Sequence, residues 1–491
     1  MAVDAQEALR ITRTLEARLD KRQAEIKVWN DFYGGEQHRL EFASDRFKAA
    51  FGGLFAGFSD NWCQVVCDAP AERMTPLGFR FGTDESGEPL AADKEAQRFW
   101  QANGMDAWGR VAMTEMMVKS RSFALTWAEN PEDNETEPEI TVEDATQCIV
   151  AYEPGNRRRR RAALKRFEDE DGRYLYSTLY LPDQVWKWQR RQLTSGLILP
   201  SSMALGGWEP RGGGKLDQVV IPNPLGRVPM VELVNRQRLV DDPTPEHKQV
   251  MPLQRAVNKL VVDMLVAAEA GAFPARWGAG IDLPKDPVTG QEIDDPEMWR
   301  LSVSKMLRAS SPQARFGNFQ AADLRNFVVG IEMLIEHIAA QSRTPPGYMT
   351  GKLVNVNAEA MQESEVGLIA KTKDKITFVG ESLEEMIRLC FLVKDDKKRG
   401  NDPLVETIWS SVEYRSDAQV VDAVLKKKSL GVPWRQLMED LGYTPSQITR
   451  MEAMLEQDAN RAARALAFDG VGDLGPVAPA AGNPALDPAV A

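Results

Sequence analysis

The sequence predicts an α+β protein, mainly helical and divided into several domains. Three observations carry that prediction. Long stretches with apolar residues at helical spacing occupy both ends of the chain, and the middle third changes to short β-branched and aromatic segments. Gly, Pro and Asn clusters punctuate both patterns. The 491 residues suffice for roughly two to four domains with sizeable cores. A hydrophobic content of 43% with 27% charged residues is that of a globular protein, and no apolar run reaches the length of a membrane span.

From Ala5 to Phe32 the residues Leu9, Ile11, Leu15, Leu19, Ile26, Val28 and Trp29 approximate a helical stripe that stops at Gly34-Gly35. This charged N-terminal stretch lacks the apolar block of a secretory signal, so the expected compartment is the cytosol. Asn61 to Arg73 reads as a second helix that Pro70 ends or kinks, and Ala91–Ala102 and Ala107–Lys119 as two more, separated by Asn103-Gly104.

From Ser122 the segments FALTWA, QCIVAYEP, RRAALKRFE, RYLYSTLYL and QVWKWQR predict a mostly antiparallel sheet region. The five arginines Arg157–Arg161 lie in one of these strands, where alternate side chains face opposite ways, so no single face gathers all five. They read as a solvated strand or an intersubunit salt-bridge surface rather than a nucleic-acid patch. The Gly-rich stretch from Leu193 to Leu216 lacks a phosphate-loop pattern and reads as a loop.

A Pro-bounded linker, DDPTPEH, leads to Lys248–Ala270, a helix of about 35 Å whose apolar surface is too broad for one neighbour. Phe273–Asp323 is an excursion around an acidic Pro/Gly tip, and Leu324–Arg343 returns as a second apolar helix carrying Phe327, Val328, Ile331, Leu334, Ile335 and Ile338. Ala358–Leu392 predicts one long helix; Asp417–Lys428, Pro433–Leu441 and Pro445–Ala467 predict three terminal ones. The stretch from Asp469 to Ala491 has no Lys or Arg and is expected to be disordered.

Between the second apolar helix and the long helix, Pro345 and Pro346 stop a helix, Gly347 and Gly351 relax the backbone, and Asn357 is a candidate N-cap. The segment is a presented loop that contacts a partner, or an ordinary helix-helix turn.

The four cysteines, Cys63, Cys67, Cys148 and Cys390, are expected to be reduced, with Cys63 and Cys67 packed in apolar surroundings rather than ligating a metal. The three histidines, His38, His247 and His337, are too few for a His-rich metal centre and read as structural. The acids Asp282, Asp286, Glu292, Asp294 and Asp295 could hold Mg²⁺ for nuclease or phosphotransfer chemistry, but no paired base or Walker signature accompanies them. No catalytic residue, cofactor or metal is expected. A net charge of -12, from 72 acidic and 60 basic residues, argues against tight wrapping of a nucleic acid while permitting transient contact.

The segments NWCQVVCDAPAERM, ITVEDATQCIVAYEPG, NPLGRVPMVELVNR, VMPLQRAVNKLVVDMLVAAEAGAFPARW, QSRTPPGYMTG and SDAQVVDAVLKKKSLGVPWRQLMEDLGYTPSQI occur in an order that resembles the portal proteins of tailed phages. The resemblance is to the portal family of long-tailed actinobacteriophages and runs from about Leu15 to Leu466. It implies a wing (1–245, with a return strand in 397–415), stem helices (246–272 and 324–343), a clip (273–323), a tunnel loop (344–357), a long helix (358–396), a crown (416–467) and a tail (468–491).

It further implies a dodecameric ring at one capsid vertex through which double-stranded DNA enters and leaves. The implied partners are the terminase motor, a head-completion or adaptor protein, and capsid and scaffolding proteins, with no membrane. The implied location is the virion, with host cytoplasm during assembly. By matching segment, Lys352, Leu353, Val354 and Asn355 would meet DNA; Leu253, Leu260, Leu265, Ile331 and Ile335 would join stems of neighbouring subunits; Asp286, Asp294 and Asp295 would meet clip partners.

A repeated negative subunit would keep DNA centred and mobile, and Lys352, the only basic residue from Thr344 to Asn357, would form a weak phosphate-touching ring or remain a solvated lysine. The alternative class is a non-catalytic cytosolic oligomeric scaffold without a ring.

Overall fold

Asp4 opens the first helix, α1 (Ala5–Gly34), by accepting the amide hydrogen of Glu7, and Gly35 closes it in the left-handed conformation at φ 74°. The computed structural model describes residues 3–36, 59–82, 92–128, 136–191, 207–211, 220–272, 276–279, 288–291, 313, 315–318, 323–351, 358–413 and 417–469. The chain divides into two units, Met1–Tyr414 and Arg415–Ala491. In the first, α2 (Trp62–Ala71) is capped by Asn61 and runs one residue past Pro70 before turning. A strand that the sequence did not announce, β1 (Pro76–Phe81), precedes α3 (Lys94–Ala102) and α4 (Met105–Lys119). The turn between these helices falls at Asn103-Gly104, as the sequence predicts.

Next come β2 (Arg121–Ala128) and β3 (Pro138–Glu143), then β4 (Cys148–Glu153), β5 (Asn156–Glu168), β6 (Tyr174–Tyr180), β7 (Gln184–Arg191), β8 (Glu209–Pro210) and β9 (Val220–Pro222). The last six make one antiparallel sheet in the order β4-β5-β6-β7-β8, with β9 also pairing β7. β10 (Met230–Val234) pairs with β2 to give the three-stranded sheet β10-β2-β3. One face of β5–β7 buries Leu164, Leu175, Leu179, Trp186 and Trp188 against Leu15 and Leu19 of α1. Period-two alternation in the strands and the helical stripe of α1 therefore meet in one core.

Helices α5 (Met251–Ala272) and α6 (Arg325–Ser342) pack along each other, and the excursion between them starts and ends in the hairpin β11 (Arg276–Ala279) and β12 (Arg315–Asn318). One turn of helix, α7 (Pro346–Thr350), precedes α8 (Ala358–Val393), whose 36 residues run about 54 Å. The short α9 (Lys397–Gly400) leads to β13 (Val405–Trp409), which pairs with β1 more than 300 residues away. The C-terminal half of α8, through Leu383, Met386, Ile387 and Phe391, sits in a core with Phe79, Phe99, Met113 and Met116.

In the second unit, α10 (Asp417–Ser429), α11 (Trp434–Asp440) and α12 (Pro445–Asp469) surround Val424, Leu437 and Ile448. Lys427 pairs with Asp440 at 2.6 Å across its first turn. Of the tail expected to be disordered, Phe468 and Asp469 are the last residues of α12, and residues 470–491 lie outside the described residues.

Candidate functional site at the root of the 352–357 connection

The approach to the connection is built by three residues. Arg343 ends α6 at φ 53°, its amide and that of Thr344 bonding the last carbonyls of the helix. Pro346 holds Pro345 extended, at φ -55° and ψ 137°, and itself starts α7 at the position where a missing N–H costs nothing. The two prolines thus end one helix and begin another, where the sequence predicts only a loop. Met349 of α7 is buried with Val257, Ile335 and Ile338, and Thr344 and Pro345 before it are buried too, so α7 is anchored to the subunit's own core. Gly351, at φ 62° with open space where a Cβ would stand, closes α7. Lys352, Leu353, Val354 and Asn355, with the candidate cap Asn357, lie outside the described residues.

Two sets of charged side chains fasten this root. Arg73, just after α2, donates to Glu365 at 3.0 Å, to the Tyr348 hydroxyl at 2.8 Å and to the Val412 carbonyl at 3.3 Å. It therefore ties α7, the first turns of α8 and the segment after β13 to one guanidinium. Deeper in, Glu246 accepts hydrogen bonds from Arg236 at 3.0 Å and from Lys375 at 2.6 Å, and Lys371 stands 3.1 Å from its other oxygen. Lys371 also donates to the Ser342 carbonyl at 2.6 Å, which joins α8 to the end of α6. Asn235 completes the set, accepting from Lys375 and donating to Glu246.

Burial opposes a charge on Glu246, but Lys375, Lys371 and Arg236 outweigh it and hold its carboxyl well below the usual range. Burial lowers the ammonium groups of Lys371 and Lys375, and Glu246 opposes that shift. The network is a fastener, since its members are satisfied by one another. Beside it a cleft of ≈ 370 Å³ is lined by Arg236, Gln341, Arg343, Lys371 and Asp374.

Next to Glu246, His247 donates from Nε2 to the Trp29 carbonyl at 3.0 Å and accepts the thiol hydrogen of Cys67 at Nδ1, 3.1 Å away. A cysteine beside a histidine is the start of a nucleophile, but here burial raises the thiol and lowers the imidazole to about 4. The pair is neutral, fully buried and structural. All four cysteines are free and buried. The linker DDPTPEH therefore ends in two of the most buried polar residues among those described, a correction to its reading as a linker.

The expected stem contacts divide. Leu253 and Ile331 pack, with the buried Ile335, into the subunit's own core. Leu260 faces α6, its Cδ1 lying 3.5 Å from where a Cβ on Gly330 would stand, so its place is the α5–α6 seam rather than an open face. Leu265 is exposed, and so are Val328, Val329 at 66% and Met333 on α6. The breadth of apolar surface predicted from sequence is real, but its outer edge lies on residues other than most of those singled out. Asp286, Asp294 and Asp295 lie outside the described residues. Glu246, Lys371, Lys375, Arg73 and Glu365 were missed, while His247 is structural, as the sequence reading has it. The available signal was the Lys371/Lys375 pair, one turn apart on a helix face shared with Leu368 and Val379.

No helix among the described residues is long and apolar enough to cross a membrane, and no group of three or more His, Cys, Asp or Glu among them could hold a metal ion. The profile of the family described as "Phage portal protein, SPP1 Gp6-like" matches residues 56–460. A portal protein of Mycobacterium phage D29 is 28% identical over 439 residues, covering 86% of this chain and 83% of that protein. One of Mycobacterium phage L5 is 27% identical over 443 residues, covering 87% and 84%. A chain in a solved structure titled "Neck of native GTA particle computed with C12 symmetry" aligns with 82% of this chain and 94% of its own length, at 10% identity and a TM-score of 0.42. With the profile spanning most of its length, the chain belongs to the SPP1 Gp6-like family of phage portal proteins.

Proposed function

We propose that copies of this chain close into a ring, a dodecamer, at one vertex of a phage capsid, and that double-stranded DNA passes through it during packaging and ejection. Residues 1–245 and 397–415 act as wing, 246–272 and 324–343 as stem, 273–323 as clip and 416–467 as crown. The clip and its acids meet the terminase motor and head-completion proteins, and capsid and scaffolding proteins surround the ring. The protein resides in the virion after assembly in host cytoplasm, and its role is structural, without catalysis.

The observation that carries this reading is the fastened root. A short connection, 352–357, leaves and re-enters through elements held by Arg73–Glu365 and by the Glu246–Lys371–Lys375 set. Removing one member of these pairs would leave a buried charge unmatched, so the set favours one arrangement of the elements on either side of the connection, which suits a segment that meets moving DNA. Imaging of purified assemblies tests the proposal directly. A closed ring with a central hole wide enough for a duplex is expected, and open oligomers or monomers would support the scaffold reading instead.

A further inference from the structure

β5 carries opposite charges at its two ends. It begins with Arg157–Arg161 and ends, with the turn that follows, in Glu168, Asp169, Glu170 and Asp171. Thirteen residues of extended chain span about 43 Å, so the acidic turn cannot fold back onto the arginines of its own strand. Three of the five arginines act inside the subunit, Arg161 through its charge on Glu7 and two others through hydrogen bonds. Arg160 bonds Glu385 and the Val228 carbonyl, and Arg157 donates to the carbonyls of Arg238 and Val240. Arg158 has no acidic partner among the described residues, and Arg159 only reaches Glu153 at 3.9 Å, with both side chains open to solvent. At the far end Glu170 and Asp171 are exposed, and among the described residues Asp171 pairs with Arg173 alone, at 3.8 Å. Register shifts between β4 and β5 at Ala151–Glu153 turn the arginine end away from regular pairing. The arginines there flank a cleft of ≈ 670 Å³ whose inner acid, Glu385, is already held by Arg160, Arg227 and Arg388.

We propose that the arginine end of β5 receives the acidic β5–β6 turn, Glu168–Asp171, of a second copy of this chain. The inference rests on the ring proposed above, since a head-to-tail ring brings two different patches of one chain together at every interface. Charge complementarity and the separation of the two patches select the occupant. The cleft has room for the side chains of a tight turn. A DNA phosphate backbone would also suit arginines, and Glu153 and Glu381 beside them oppose either anion equally; the acidic turn is preferred because every copy in a head-to-tail ring presents it at a fixed place.

The test is a charge swap read by native mass spectrometry of assembly at graded protein concentrations. Arg158→Glu with Arg159→Glu, and separately Glu170→Lys with Asp171→Lys, should each raise the concentration needed for assembly by about tenfold, with the effect shrinking at high salt. The four substitutions in one chain should restore assembly to within about threefold of the parent, because every interface is again complementary. An equimolar mixture of the two double variants should also recover, as rings in which they alternate. Rings in the parent and unchanged rings in both double variants would overturn this contact alone. Normal rings with lost DNA retention in the arginine variant would assign the patch to nucleic acid and overturn it too. Absence of rings in the parent would remove the ring reading and this contact together.

Discussion

Lys375 Nζ lies 2.6 Å from Glu246 Oε2, in a place where the lysine side chain keeps 6% of its exposure and the carboxylate none. A buried pair of this kind adds little over well-packed apolar residues, yet breaking it from one side is expensive because the remaining charge has no water. Glu246→Gln leaves Lys371, Lys375 and Arg236 facing an amide. The expected loss is about 3–5 kcal/mol in denaturant unfolding of the chain. A loss below about 1 kcal/mol would show that the lysines reach solvent without cost.

His247 makes stability depend on pH. Its folded pKa is lowered to about 4 by burial, against an unfolded value near 6.5, so the unfolded chain binds the extra proton first. Stability should be full above pH ~6.5 and fall as pH drops toward ~4, by about 3 kcal/mol in total. Glu246, also depressed, adds a further loss that begins near its unfolded value, about pH 4.3, and continues below it. His247→Gln retains a donor for the Trp29 carbonyl, and its unfolding free energy should lose the parent's fall between pH 6.5 and 5. A slope equal to the parent's would place the titration elsewhere.

The Arg73–Glu365 contact should hold α7 in place. Its side chains are 6% and 17% exposed, so Glu365→Gln should cost about 1–3 kcal/mol and quicken amide exchange in Gly347–Gly351. Tyr348→Phe removes one hydrogen bond and should cost about 1 kcal/mol. Unchanged exchange in both variants would mean that Met349 alone anchors the turn.

Val329→Asp and Leu260→Asp separate association from folding. Val329 is exposed, so its variant should fold normally and assemble poorly. Leu260 faces the Gly330 side of α6, so its variant should lose several kcal/mol of fold stability before assembly is reached. Thermal melting of the soluble protein, followed by imaging, distinguishes the two. Normal rings from the Val329 variant would remove this edge of α6 from the subunit interface.

Deleting Leu353–Val356 shortens the connection without touching α7 or α8, and loop length alone costs little. Rings should form, while packaging into procapsids or retention of packaged DNA should fall. Parental packaging by the deletion variant would make the connection passive.

The helices were legible where a cap accompanied the stripe: Asp4 and Gly35 bound α1, and Asn61 starts α2 as its sequence suggests. The strands were legible where β-branched and aromatic residues alternate, as in β6 and β7. β1 was not, because PLGFRF is short and its partner, β13, lies more than 300 residues on. Local pattern carries no information about such a pairing. The root of the connection was hidden for a related reason. Glu246 and His247 follow prolines and polar residues, a spacer's composition, and only the fold brings α8 and the end of α6 over them. Their burial is a tertiary fact with no periodic trace.

α8 is gripped unevenly along its length, and that has a mechanical consequence. From Leu383 to Phe391 it is embedded in a core, while Val366, near its other end, is 61% exposed. A load arriving at the start of α8 meets its supports in sequence, first the Arg73–Glu365 pair and then Lys371 and Lys375. Strain from a passing cargo is thereby resisted by short-range electrostatics at these pairs, leaving the far hydrophobic packing, and the β1–β13 pairing beside it, undisturbed.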